Sequence, residues 1–272
     1  MSEHREMRVA IAGLGAIGLK VAETLLAGRV PGYRLAAVSE QGEAAGQKLA
    51  ALGGDVALHS LAELAQHADI VIECLPAAIF GLVADPAVAA GRIFVPLTAA
   101  ALLERTDLIE RAKETGARIL LPSGALLGFD AVRAAAEGEI RSVRMVTRKP
   151  PLSLAGAPHI EANGIVLTEI EEPLCVFSGS ARLGAKGFPA NVNVAAALSL
   201  AGIGPDRTTL EIWADPTVTR NTHQIDVDAD SARFSLRIES TPSVENPRTG
   251  RFTPLSVVAL LRGLNATFRV GS

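Results

Sequence analysis

Three features of the chain predict an α/β fold, with a doubly wound parallel sheet in a first domain and a second α+β domain built on a mainly antiparallel sheet. Short apolar strands alternate with helices over residues 1–122, a glycine-rich turn joins the first strand to the first helix, and beyond Pro122 strands follow one another across turns. Alternation with short links implies parallel strands joined by right-handed crossovers. Strands linked only by turns favour antiparallel pairing. Composition agrees, because 49% of the 272 residues are hydrophobic while only 4% are aromatic, as suits helix-on-sheet layers of alanine, valine and leucine.

The first strand, Arg8-Val-Ala-Ile-Ala, runs into Gly13-Leu-Gly15-Ala-Ile-Gly18 and then into a helix reaching Leu26. Between a strand and a helix, Gly-x-Gly-x-x-Gly reads as a Rossmann dinucleotide turn rather than a ligand-free glycine loop. Gly13 permits the tight turn, Gly15 lets a pyrophosphate approach the backbone, and Gly18 lets the helix pack on the strand. The free amides of Ala16 and Ile17 then face the phosphates at the positive end of the helix. NAD or NADP is the cofactor this predicts. A second strand ends at Ser39-Glu40, where such folds inspect the adenosine ribose. Glu40 is the candidate ribose ligand and favours NAD, Ser39 tolerates a 2′-phosphate, and a solvated turn glutamate is the alternative.

Further elements are expected as helix 42–52, strand 69–74, helix 86–90, strand 92–97, helix 106–115 and strand 118–122. Cys74 reads as a small core residue. The second domain should hold helix 130–137, strands 142–147, 165–169, 210–214, 223–227 and 233–239, and one long helix over 191–201. A last helix over 253–264 is expected to return to the first domain. The domains are therefore 1–122 joined by 247–272, and 123–246 as the substrate and oligomerisation domain.

The formal net charge of -3, without basic runs, argues against a nucleic-acid partner and for a small-molecule substrate. No apolar run reaches membrane-spanning length, and the start lacks a secretory h-region, so no membrane partner and a cytoplasmic location are expected. Two distant cysteines give neither a disulfide framework nor a metal site. A nicotinamide enzyme needs a proton carrier. Among five histidines, His223 lies at a loop-to-strand junction in the second domain, where an imidazole of ordinary pKa suits acid–base work near neutrality; a plain surface or capping histidine is the alternative. Asn191 reads either as a helix N-cap or, with Lys186, as a group facing the cofactor and an anionic substrate. Arg148-Lys149, ahead of Pro150-Pro151, either holds a carboxylate or ends a solvated strand. Ser123-Gly124-Ala125 reads as a close-approach turn, since no Gly-x-Ser-x-Gly is present.

Taken together, the glycine turn, Pro122-Ser-Gly-Ala125 followed by Asp130-Ala-Val-Arg, Arg148-Lys-Pro150, Lys186-Gly-Phe-Pro-Ala-Asn191-Val-Asn-Val, and Ala214-Asp-Pro216 with Asn221-Thr-His223 closely resemble the L-aspartate dehydrogenase family. The resemblance covers nearly the whole chain, including Glu245-Asn-Pro-Arg-Thr249. It implies NAD- or NADP-dependent oxidative deamination of L-aspartate through iminoaspartate to oxaloacetate and ammonia, or the reverse, with the imine available to NAD biosynthesis. By the same resemblance His223 is the catalytic residue, and Ala125 and Asn191 are cofactor contacts. Two substrate carboxylates then need cationic or amide donors, which Lys186, Arg148 and the helix start at Asn191 would supply. An exposed antiparallel sheet suggests a homodimer. Two other readings stay open: a related dehydrogenase or imine reductase for another small amino or oxo acid, and a nucleotide-binding sensor without turnover.

Overall fold

The computed structural model describes residues 6–40, 45–53, 56–243 and 250–271. Two compact units emerge, Met1–Gly124 with Thr253–Val270, and Ala125–Phe252 with Gly271–Ser272. Along the first unit run β1 (Met7–Ala12), α1 (Ala16–Leu26), β2 (Tyr33–Ser39), α2 (Ala45–Leu52), β3 (Ala57–Leu58), α3 (Leu64–His67), β4 (Ile70–Glu73), α4 (Gly81–Ala89), β5 (Ile93–Pro96), α5 (Ala99–Leu103), α6 (Asp107–Thr115) and β6 (Arg118–Ile119). All six strands are parallel, in the order β3-β2-β1-β4-β5-β6. The central strands read as unbroken apolar runs because both faces are covered; all four residues of β4 are buried. Strand order reverses at β1, so the carboxyl ends of β1 and β4 flank the switch point where ligands bind in such sheets.

One local expectation needs correction here. The helix expected over 86–90 spans Gly81–Ala89 with Pro86 inside it. Proline favours the first turn of a helix, whereas buried Val83, Ala84, Ala87 and Val88 anchor a helix that begins earlier. The short β3 gives too brief a pattern to be expected at all. Residues 42–44 of the helix expected over 42–52 lie outside the described residues.

The second unit contains α7 (Phe129–Ala136), β7 (Ile140–Lys149), α8 (Pro158–Ala162), β8 (Leu174–Ser180), α9 (Ala181–Gly187), α10 (Asn193–Ala201), β9 (Thr208–Ala214), β10 (Thr222–Ala229) and β11 (Arg233–Glu239). Its sheet has the order β11-β10-β7-β9-β8 and is antiparallel except for β7 with β9. One face buries Val143, Met145, Leu210, Ile212, Ile225 and Val227. The other carries ionic pairs such as Arg144 with Glu211 at 2.7 Å. The strand expected over 165–169 is a 3-10 turn at Leu167–Glu169, and β8 takes the sheet edge instead. Only Val176 of β8 is buried, and its register shifts between Cys175 and Phe177, so the edge strand shows little of the two-residue alternation that marks a covered one.

Helix α11 (Phe252–Leu264) brings the chain back. Val257 and Leu261 join Val9, Ile11, Val21, Leu25 and Ile72 in the core of the first unit. The expected boundary at 246/247 lies outside the described residues. No helix of the described residues is long and apolar enough to cross a membrane.

Candidate active site

The three glycines of the first turn have separable physical reasons. Gly13 has φ +91°, and a Cβ there would lie 2.8 Å from the Cys74 carbonyl oxygen. A Cβ on Gly18 would lie 1.9 Å from the Gly13 oxygen. Both are required by the protein's own backbone. Around Gly15, by contrast, nothing lies within 4 Å of an added Cβ, so the fold itself has no use for the missing side chain. That open space stands at the N-cap of α1, whose first amides, Ala16 and Ile17, have no acceptor within the helix. It fits the pyrophosphate of a dinucleotide, which needs close backbone approach and favours the positive helix end.

Glu40 follows β2 and accepts hydrogen bonds from the Leu14 amide and from Lys48 Nζ, the latter at 2.9 Å. Its carboxylate thus sits over the glycine turn. With Ser39, Leu58, His59 and Leu82 it lines a cavity of about 520 Å³, a size suited to a nucleoside. At the end of β4, Glu73 is fully buried and accepts from the Leu75 amide at 2.6 Å and from the Thr98 amide and hydroxyl at 3.1 and 2.9 Å. Burial raises its pKa above the ordinary carboxylate value, against the opposing pull of those hydrogen bonds. It ties together the loops that leave β4 and β5.

In the second unit, His223 is the second residue of β10 and is 4% exposed. It pairs across the sheet with Thr147 of β7, and Thr147 Oγ1 lies 3.1 Å from its Nδ1. Two residues along β7, on the same face, Lys149 is 6% exposed and donates from Nζ to Asn191 Oδ1 at 3.0 Å. Burial first, and the Lys149 charge second, push the His223 pKa from 6.5 down to about 3. The imidazole is therefore neutral near neutrality, not poised at its ordinary value as its loop-edge position in the sequence suggested.

Comparison with known proteins places this pairing of units. Residues 130–264 match the family described as aspartate dehydrogenase, C-terminal, and residues 13–122 match the NAD binding domain described for homoserine dehydrogenase. L-aspartate dehydrogenase 3 of Bordetella bronchiseptica is 51% identical over 274 residues, covering 100% of both chains. The chain belongs to the L-aspartate dehydrogenase family. A second member, L-aspartate dehydrogenase of Bradyrhizobium diazoefficiens, is 52% identical over 98% of this chain and 95% of its own. The crystal structure of aspartate dehydrogenase from Thermotoga maritima, 22% identical, has a TM-score of 0.75 over 97% of this chain and 99% of that one, a likeness of fold.

Within this family member the structure brings some expected residues together and leaves others apart. His223 and Asn191 stand at one cluster, joined through Lys149. Asn191 is not the helix cap: α10 starts at Asn193 with Val192 at the N-cap, and the Asn191 amide is spent on Lys149 instead. Arg148, on the opposite face of β7, donates to Asp215 at 3.0 Å and stacks on Trp213 at 4.8 Å. Lys186 is exposed in the last turn of α9, and its charge acts on Asp206. Ala125 lies in the turn ahead of α7, after Gly124, whose amide donates to Ser256 Oγ at 3.1 Å. Thr147 was not singled out by the sequence, and Lys149 only as part of the Arg148-Lys149 pair; the signal available was a strand ending Thr-x-Lys against Pro150-Pro151.

Proposed function

We propose that the protein catalyses the NAD(P)-dependent oxidative deamination of L-aspartate to oxaloacetate and ammonia, and the reverse reductive amination, with His223 as proton carrier. What supports this reading is a buried imidazole and a buried ammonium on one sheet face, with the half-buried Asn191 amide bonded to the ammonium, in a chain 51% and 52% identical to L-aspartate dehydrogenases along its length. When bound, the nicotinamide supplies a hydride acceptor for the substrate Cα. Before Cα can give up hydride, the substrate ammonium must lose a proton. With Nδ1–H donating to Thr147 Oγ1, His223 presents the lone pair of Nε2 to take that proton. Once it has shed the proton, the same nitrogen activates the water that opens the imine.

In this reading Gly13, Gly15 and Gly18 with the Ala16 and Ile17 amides hold the pyrophosphate, Glu40 accepts from the ribose, and Ala125 and Asn191 contact the cofactor. Arg148 and Lys186 stay outside the set around His223. The protein is a cytoplasmic homodimer in the same proposal, and sedimentation of the purified protein reads the assembly. The decisive assay follows NADH and NADPH oxidation with oxaloacetate and ammonia supplied together. His223→Ala should lower kcat by about two to four orders of magnitude while nucleotide affinity changes little. Absence of turnover with either nucleotide in the wild-type protein would sink the proposal.

A further inference from the structure

The carboxylate expected at the adenosine ribose does not stand alone. Glu40, its side chain 13% exposed, accepts from the Leu14 amide on one oxygen and from Lys48 Nζ on the other, the latter at 2.9 Å. Lys48 lies on α2, eight residues further along, and reaches back to the end of β2 with its side chain about one-third exposed. An ion pair this open to solvent contributes little to stability. What it changes is the charge that a ligand meets. Ser39, Glu40 and His59 line the same cavity, and no lysine or arginine is among its described lining residues. Lys48, held against the Glu40 carboxylate, therefore brings an ammonium to that wall of the cavity. The other basic group there, the His59 ring, is stacked on His67 at 3.7 Å.

We propose that Lys48 is the nucleotide-selecting residue of this protein, its ammonium receiving the 2′-phosphate of NADP where Glu40 takes the ribose hydroxyls of NAD. This rests on reading Glu40 as the ribose ligand. A lone carboxylate repels a 2′-phosphate, because like charges brought together at a binding surface are costly. Paired with an ammonium, it presents no net charge. An ammonium has three donors, of which the described contacts of Lys48 use one, and its flexible stem lets it turn toward a second anion. Glu40 and Lys48 thus form one device that admits either nucleotide. Lys48 in this account touches cofactor rather than substrate.

Adenosine 2′,5′-bisphosphate and 5′-AMP differ only by the 2′-phosphate, and calorimetric titration with each is the test. The wild-type protein should bind the bisphosphate at least as tightly as 5′-AMP. Lys48→Met, which keeps a good helix former at that position, should shift the affinity ratio toward 5′-AMP by about 10-fold or more, the usual consequence of losing a charge-assisted hydrogen bond. NADPH and NADH fluorescence titrations should shift in the same sense. Lys48→Arg should hold the wild-type ratio within about threefold, while Glu40→Gln and His59→Gln separate the neighbouring groups: the first should favour the bisphosphate, and the second should leave the ratio in place. A folded Lys48→Met protein with an unaltered ratio would overturn the proposal. So would a wild-type protein that binds 5′-AMP but rejects the bisphosphate, a measurement that needs no variant. If Glu40→Gln moves the ratio and Lys48→Met does not, the ribose reading of Glu40 stands and the role of Lys48 falls. No titration here involves an amino acid or turnover, so a failure of the aspartate reaction is seen separately in the assay of the preceding section.

Discussion

At the scale of the residue, His223 carries the clearest energetic signature. Its folded pKa of about 3 lies below the ordinary 6.5. Between those values an unfolded chain binds a proton that the folded chain refuses. The contribution to stability is thus fully present above pH 6.5 and is lost as pH falls toward 3, at a slope of about 1.4 kcal/mol per pH unit. His223→Asn removes the titrating group and should make stability less acid-sensitive than in the wild type. Urea unfolding at about pH 7 and about pH 4.5 compares the two slopes; equal slopes would mean that the ring is solvated. His223 could be nominated from its place in the chain, because proton transfer needs an imidazole and the other four histidines sit in less suitable segments. Lys149 could be nominated only together with Arg148. The strand expected over 142–147 in fact continues to Lys149, and only its true end and phase tell that Lys149, rather than the neighbouring arginine, turns inward. A slip of one residue exchanges the two faces.

Among the elements, the turn from β1 to α1 shows why some of the site was readable. Its constraints are local: a positive φ, a close carbonyl and a helix start are all encoded within Gly13–Gly18. Gly15 has φ -77°, which any residue can adopt, and open space around its missing side chain. Gly15→Val should therefore fold yet lose NAD(H) binding. Gly18→Ala should damage the fold itself, since its Cβ would collide with backbone at 1.9 Å. Calorimetric titration with circular dichroism separates these outcomes, and a folded Gly15→Val protein with wild-type affinity would remove the turn from the cofactor site. The edge strand β8 was unreadable for the opposite reason. Its pairing is decided by β9, more than thirty residues later (Leu174 pairs with Ala214), and a half-covered edge leaves little alternation to find.

For the whole molecule, the consequential feature is that the first unit is discontinuous in sequence, closed by Thr253–Val270 after the chain has built the second unit. Val257 and Leu261 are fully buried in its core, each worth about 1.5–3 kcal/mol by burial, against a typical total of about 5–15 kcal/mol. Deleting residues 252–272 should leave the nucleotide unit loosened, with protease-sensitive strands and NADH affinity reduced at least tenfold, about 1.4 kcal/mol. Unchanged NADH fluorescence titration of the truncated protein would show that α11 is dispensable. The apolar run at the end of the chain made its helical character legible. Its destination rested on fold logic, because nothing in the run itself names the surface it covers.

That return path also sets an order of events at the ribosome. Domains tend to fold as units as they emerge. Nearly all of the unit begun at residue 125 is out once residue 252 is made, while the one begun earlier still lacks its closing helix. The first-made part is thus the last to mature. A message cut short anywhere upstream of α11 yields polypeptide with an unfinished nucleotide unit, whose hold on pyridine nucleotide should be weakened as in the truncated protein.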